Sequence, residues 1–249
     1  MSGHSKWSTI KHKKAALDAK RGKAWSKLSR AVTMAAKIGG NPADNPRLRL
    51  AIDKAKADNM PKDTIEKAIK KGTGELAGQN YEDVLYEGYG PNGVAVMCQA
   101  VTDNRNRTGA EIKKIFERAN GNLGQSNCVA FQFQQKGVIL VAAEKATEDQ
   151  LMELALEAGA EDVTCSEMIH EIITTPEAFE QVRKAVADAE IEIESADLRM
   201  VADTEITLDL NTARKVTRLI DALEDHDDID AVYSNIDVPD DVLAQLAKE

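Results

Sequence analysis

The sequence predicts an α+β protein of three domains: an all-helical N-terminal module and two α/β domains, at least one ferredoxin-like, the inserted one interrupting the other. Three observations carry that expectation. Apolar residues recur at helical spacing from about residue 13 to 71, and the period shortens to that of strands beyond Gly78. Between 137 and 200 the elements then follow in the order βαββαβ, the ferredoxin-like unit. The expected boundaries are 1–77 for the helical module, 78–134 with 204–249 for a discontinuous α/β domain, and 135–203 for the insert.

The chain has 249 residues, enough for two or three domains with a buried core. An apolar share of 43% with only six prolines reads as globular. Aromatics make up 4%, so the cores must rest on Ala, Leu, Ile and Val.

Residues 13–38 read as a helix, with Leu17, Arg21, Trp25, Leu28, Val32 and Ala35 near one side and Lys20, Lys23, Lys27 and Arg30 roughly opposite. Gly22 costs about 1 kcal/mol there relative to alanine, so a break that frees 1–21 as an arm is the alternative. Gly39-Gly40-Asn41-Pro42 ends the segment. Asn45-Pro46 offers an N-cap and a proline in the first turn, for a helix over about 46–57. After Asp58-Asn59-Met60-Pro61 a third helix runs over 61–71, stopped by Gly72 and Gly74.

Tyr81–Tyr89 and Gly93–Val101 read as two strands joined by a hairpin turn at Gly90-Pro91-Asn92-Gly93. Thr108-Gly109-Ala110-Glu111 has the form of a capping box, opening a helix to about Asn120. Val129–Gln134 is a further strand. The insert follows as strand 137–142, helix 147–158, strands 161–166 and 168–174, helix 176–188 and strand 191–200. Strand 204–209, helix 211–224 and strand 229–235 complete the interrupted domain.

The charge is divided along the chain. The first 71 residues hold 18 Lys+Arg against 6 Asp+Glu, and the remainder 14 against 36, so a module of +12 is joined to a body of −22 within a net charge of −10. A confined positive surface is what phosphate backbones attract, through release of condensed counterions. The plainer alternative is a solvated, salt-bridged helical face. The densest run is Lys6-Trp7, Lys11-His12-Lys13-Lys14 and Lys20-Arg21-Gly22-Lys23, with Asp18 the acid among them. Lys27, Arg30, Arg47 and Arg49 extend it, and Lys54 and Lys56 also decorate the second helix. Lys70 and Lys71 are weaker candidates, since the macrodipole places cations at a helix C-terminus for structural reasons. Trp7 either stacks on a base or docks the arm onto the body. Arg105 and Arg107, in the polar stretch Asp103-Asn104-Arg105-Asn106-Arg107, either pair with nearby carboxylates or form a phosphate clamp.

Other chemistry is not supported. Gly88-Tyr89-Gly90-Pro91-Asn92-Gly93 fits Gly-x-Gly-x-x-Gly but precedes a strand, where a dinucleotide site needs a helix. No lysine follows it in Val94–Gln99, as a kinase loop would require. His4, His12, His170 and His226 have no metal-ligand spacing, and Asp221–Asp230 lacks the pattern of a calcium loop, reading as an exposed helix end. Gly124-Gln125-Ser126 is no nucleophile elbow. We therefore expect no catalytic residues, no metal and no cofactor. Cys98, Cys128 and Cys165 are too far apart for a zinc ribbon and odd in number, hence reduced core residues. The start of the chain lacks a secretory apolar stretch, little arginine before Arg21 argues against an organelle signal, and no run is long enough for a bilayer. Cytoplasm is the expected compartment, with no membrane partner.

Gly3-His4-Ser5-Lys6-Trp7, Ile10–Lys14, Asn41–Leu48, Asn59-Met60-Pro61, Ile69–Gly74, Tyr86–Pro91 and Thr102–Thr108 closely resemble the YebC family over essentially the whole chain. The family includes bacterial transcriptional regulators and a mitochondrial translational activator of cytochrome c oxidase. The resemblance implies three domains around a cleft, one discontinuous, and a cytoplasmic DNA-binding regulator of transcription. A second line of the resemblance implies the alternative of a ribosome- or rRNA-associated factor supporting translation through proline-rich stretches. It brings no assigned catalytic or base-reading residues. The expected function is thus non-enzymatic regulation through phosphate contacts by the basic module, with a basic protein as a further partner for the acidic domains.

Overall fold

The computed structural model describes residues 21–77, 80–166 and 169–246. It is an α+β structure, helical at its N-terminal end and mixed in the remainder. The chain forms two compact units. One holds described residues 21–128 and 214–232, the other 129–213 and 233–246.

In the first unit, three helices come first: α1 (Arg21–Ala36), α2 (Pro46–Ala57) and α3 (Lys62–Gly72). Helix α1 is described from Arg21, with Gly22 in its first turn; residues 1–20, and with them the expected start at 13 and the alternative of a separate arm, lie outside the described part. Val32, Ala35, Leu48, Ile52, Ala55, Ile65 and Ala68 form their shared core, with Trp25 and Leu28 packed on it. Asn45 fixes the α1–α2 corner. Its Oδ1 accepts from the Leu48 N–H as an N-cap, and its Nδ2 donates to the carbonyls of Ala35 and Gly39 at the end of α1. Gly72 belongs to α3 instead of following it. A Cβ there would stand 2.3 Å from the Thr33 carbonyl oxygen and 2.6 Å from the Ala36 Cβ, so α1 and α3 meet backbone to backbone.

A sheet of order β3-β1-β2-β9 completes this unit, from β1 (Glu82–Tyr89), β2 (Ala95–Thr102), β3 (Asn122–Leu123) and β9 (Ile229–Ser234), the last of which ends in the second unit. β1 and β2 pair antiparallel, Glu82 opposite Thr102, through a turn in which Asn92 and Gly93 take positive φ of 59° and 75°. Helix α4 (Arg105–Arg118) starts earlier than expected. Asn104, not Thr108, is its cap, accepting from the Arg107 N–H, and Thr108 is fully buried inside the helix. Ile112 and Phe116 of α4 and Leu219, Ile220 and Leu223 of α7 (Leu210–Glu224) are buried.

The second unit carries the sheet β5-β6-β4-β7, formed by β4 (Phe133–Ala142), β5 (Asp162–Cys165), β6 (Ile169–Thr174) and β7 (Ile193–Ala202). With α5 (Glu148–Glu157) and α6 (Phe179–Asp188) this is the ferredoxin-like βαββαβ arrangement, antiparallel throughout. Its core joins Ile139, Val141, Leu151, Ala155, Ile172, Val182 and Val186. Of the strand expected at 129–134 only 133–134 is strand: Ala130–Gln132 form a short 3-10 turn, and Phe133 and Gln134 run on into the strand expected at 137–142, because β4 already pairs with β7 at Phe133 opposite Ala202. The strand expected at 204–209 shrinks to β8 (Ile206–Thr207), parallel to β10 (Ile236–Asp237). Helix α8 (Asp240–Leu246) follows.

Candidate nucleic-acid interface

The cations singled out in the sequence separate into those turned onto the protein and those turned away from it. Lys27 and Arg30, expected on a free stripe of α1, face the loop after α7. The Lys27 ammonium donates to the Glu224 carbonyl at 2.5 Å, and Arg30 donates to the Asp227 carbonyl at 2.5 Å and the Asp228 carboxylate at 2.7 Å. They meet the negative end of the α7 dipole, where cations are stabilising. Burial lowers the Lys27 pKa, and neighbouring Arg30 adds to this against the pull of Asp230, Glu224 and Asp227. The expectation of free phosphate contacts from Lys27 and Arg30 is therefore corrected: their side chains are committed within the unit.

Asp228 is the centre of that commitment. It is 8% exposed, and its carboxylate accepts from Arg30, from Arg107 at 2.9 Å and from the Thr108 hydroxyl at 2.7 Å. The Asn104 N–H donates to Thr102 Oγ1 and Thr102 lies 2.8 Å from Thr108 Oγ1, so a chain of polar contacts runs from the α4 cap to Asp228. Its main chain is held as well: Val101 N–H donates to the Asp228 carbonyl, and Asp228 N–H donates to His226 Nδ1. His226 Nε2 then lies 2.9 Å from Glu111. Desolvation alone would raise the Asp228 pKa, but hydrogen bonds from Thr108, Arg107 and Arg30 outweigh it and hold the carboxyl below its ordinary value. The segment expected as an exposed helix end is thus the tie between α1, α4 and the sheet. Sequence reading missed Asp228 because it stands among four other aspartates between 221 and 230, with nothing local to distinguish it.

For Arg107 the ion-pair alternative holds, since it bridges Asp103 and Asp228. Arg105 is exposed beside Tyr86, whose hydroxyl donates to the Arg105 carbonyl. Arg47 pairs with Asp83 at 3.0 Å, both well exposed. Lys54, seven residues on and on the same flank of α2, joins Lys27 and Arg47 around Asp230. Desolvation, with Asp83 adding to it, raises the Asp230 pKa although part of the residue reaches solvent.

The opposite flank of α2 carries Arg49 and Lys56, and the outer face of α3 carries Lys67, Lys70 and Lys71. All five are exposed and none meets an acidic side chain among the described residues. Lys6, Trp7, Lys11, Lys13, Lys14 and Lys20 lie outside the described residues. For Arg21 and Lys23 only the helical backbone is described. Among the described residues, no group of three or more His, Cys, Asp or Glu is placed to hold a metal ion, and no helix is long and apolar enough to cross a membrane.

Helices bearing outward cations, tied by ion pairs to a sheet and accompanied by a ferredoxin-like unit, define the class: an α+β protein with a basic helical end and an acidic α/β region. The chain belongs to the TACO1/YebC family. Residues 5–75 match the TACO1/YebC protein N-terminal domain, and 81–236 match the TACO1/YebC second and third domain. A probable transcriptional regulatory protein of Desulforapulum autotrophicum is 55% identical over 243 residues, covering 97% of this chain and 98% of the relative. One of Geobacter sulfurreducens is 52% identical over 247 residues, covering 99% and 100%. The crystal structure of a conserved hypothetical protein from Aquifex aeolicus superposes with a TM-score of 0.83 at 48% identity, over 93% of this chain and 96% of that one.

Proposed function

We propose that the protein is a non-enzymatic, cytoplasmic regulator of transcription that binds DNA phosphates through its helical domain. The observation that carries this reading is the set Arg49, Lys56, Lys67, Lys70 and Lys71, exposed on α2 and α3 without acidic partners among the described residues. The names of the relatives support the regulatory role. Phosphate contacts position a protein on a nucleic acid without reading bases, so this surface provides affinity and orientation, not sequence choice. Arg105 is a further candidate contact, exposed at the start of α4.

Salt dependence tests it. Five phosphate contacts give a log–log slope of about −4.5 on duplex DNA. Reversing Lys67, Lys70 and Lys71 to glutamate should flatten that slope by roughly 2–3 and weaken binding at every salt concentration. An unchanged slope with the fold intact would remove these helices from the interface. The same titration on a ribosomal RNA fragment separates the two polymers: preference for RNA over duplex DNA favours the translation reading.

A further inference from the structure

We propose that the outer face of α5 is a docking surface for a basic amphipathic helix of a partner protein. The inward side of α5 is ordinary, with Leu151 and Ala155 fully buried in the ferredoxin-like core and Leu154 packed against it. Outside, two rows run side by side at four-residue spacing. One is apolar: Met152 and Leu156 are 37% and 49% exposed. The other is acidic: Asp149, Glu153 and Glu157, with Glu148 one turn before Met152, all exposed. Residues four apart are neighbours on a helix surface, so the carboxylates of the acidic row repel one another.

Among the described residues no cation relieves that repulsion. Helix α5 contains no Lys or Arg, and none of its four carboxylates meets a basic side chain among the described residues. Elsewhere in this unit Glu161 pairs with Lys136, Glu180 with Arg183 and Glu192 with Lys145. The face of α5 therefore combines two features that an isolated surface disfavours, water-exposed apolar side chains and a row of like charge with no basic partner among the described residues. A partner helix with an apolar i, i+4 pair beside a row of Lys or Arg would relieve both. Its apolar residues would cover Met152 and Leu156, and its cations would set orientation and speed encounter. The sign of the charge excludes nucleic acid and anionic lipid as occupants. Self-association through the same face of a second copy would set acidic row against acidic row. This surface stands apart from the polyanion reading, which rests on α2 and α3.

The test uses the full-length protein and two labelled 18-residue peptides of identical Leu/Lys/Ala composition, one patterned as an amphipathic helix and one scrambled, followed by fluorescence anisotropy. The patterned peptide should bind about tenfold more tightly than the scrambled one. Met152→Ser with Leu156→Ser should remove that preference, and Asp149→Lys with Glu153→Lys should weaken binding and abolish its salt dependence. At 0.1 M salt and above, duplex DNA affinity should be unchanged by Met152→Ser with Leu156→Ser, which separates this surface from the helical one. Equal binding of the two peptides to the unaltered protein would overturn the proposal without recourse to any variant. So would a patterned-peptide affinity unaffected by Met152→Ser and Leu156→Ser, or a dimer of this chain, seen by equilibrium sedimentation, that those substitutions dissolve.

Discussion

Asp228 shows how one side chain can matter more to this molecule than any cation counted in the sequence. Replacing it with alanine leaves Arg30, only 14% exposed, without its carboxylate partner, and should cost about 3 kcal/mol of unfolding free energy. Asp228→Asn keeps the shape but loses the charge, so the loss should be smaller. The pH dependence has a fixed sign. Since the folded carboxyl titrates below the ordinary 3.8, its contribution is complete above about pH 4 to 5 and fades as pH falls through the lowered folded value. Urea melts of the parent and Asp228→Asn should therefore draw together as pH is lowered below about 4 to 5; a constant gap would contradict the assignment. Cys98 gives a second prediction at this scale. Buried in β2, its thiol is pushed far above the usual range by desolvation, so it should resist alkylation in the folded protein and react only on unfolding.

Elements with strong periodicity were legible, and those decided by distant partners were not. The apolar spacing of α1, the Asn45-Pro46 start of α2 and the βαββαβ order follow from local rules, and the structure places them there. Helix α4 is different. Asn104 and Thr108 are both good caps, and the choice falls to Asn104 because Thr108 is drawn inward by Asp228, 120 positions away. β4 looked like two strands because the polar run Gln134-Gln135-Lys136 hides the continuity that pairing with β7 imposes. The two-residue strands β3, β8 and β10 are too short for any period to register. Gly72 has a consequence that its appearance as a helix stop conceals. Gly72→Ala should destabilise the helical domain by about 1–3 kcal/mol, because the obstructing atom is the backbone carbonyl of Thr33. Glu153→Lys should act oppositely, turning two repulsive spacings on α5 into attractive ones for a gain of about half a kcal/mol in thermal or urea unfolding.

Over the whole molecule the question is how a chain of net charge −10 would hold the polyanion proposed for it. Part of the positive charge at the N-terminal end is committed internally, to Asp228, Asp83 and the carbonyls after α7. What remains for phosphates is a local surface on a globally acidic protein, and the three-domain division proposed from the sequence would keep these charges on separate bodies. Which of the two a duplex senses depends on the screening length. At 0.1 M salt this is about 10 Å, short enough for the cations of α2 and α3 to act alone. At 0.01 M it reaches about 30 Å, and a bound duplex would also sense the 36 Asp+Glu beyond residue 71. Binding should therefore follow the counterion-release line at moderate salt and fall below its extrapolation as salt is lowered towards 0.01 M. A line that stays straight over that range would show that the acidic body exerts no pull on the encounter. The charge asymmetry of the sequence would then be a matter of solubility, while the helical surface kept its role.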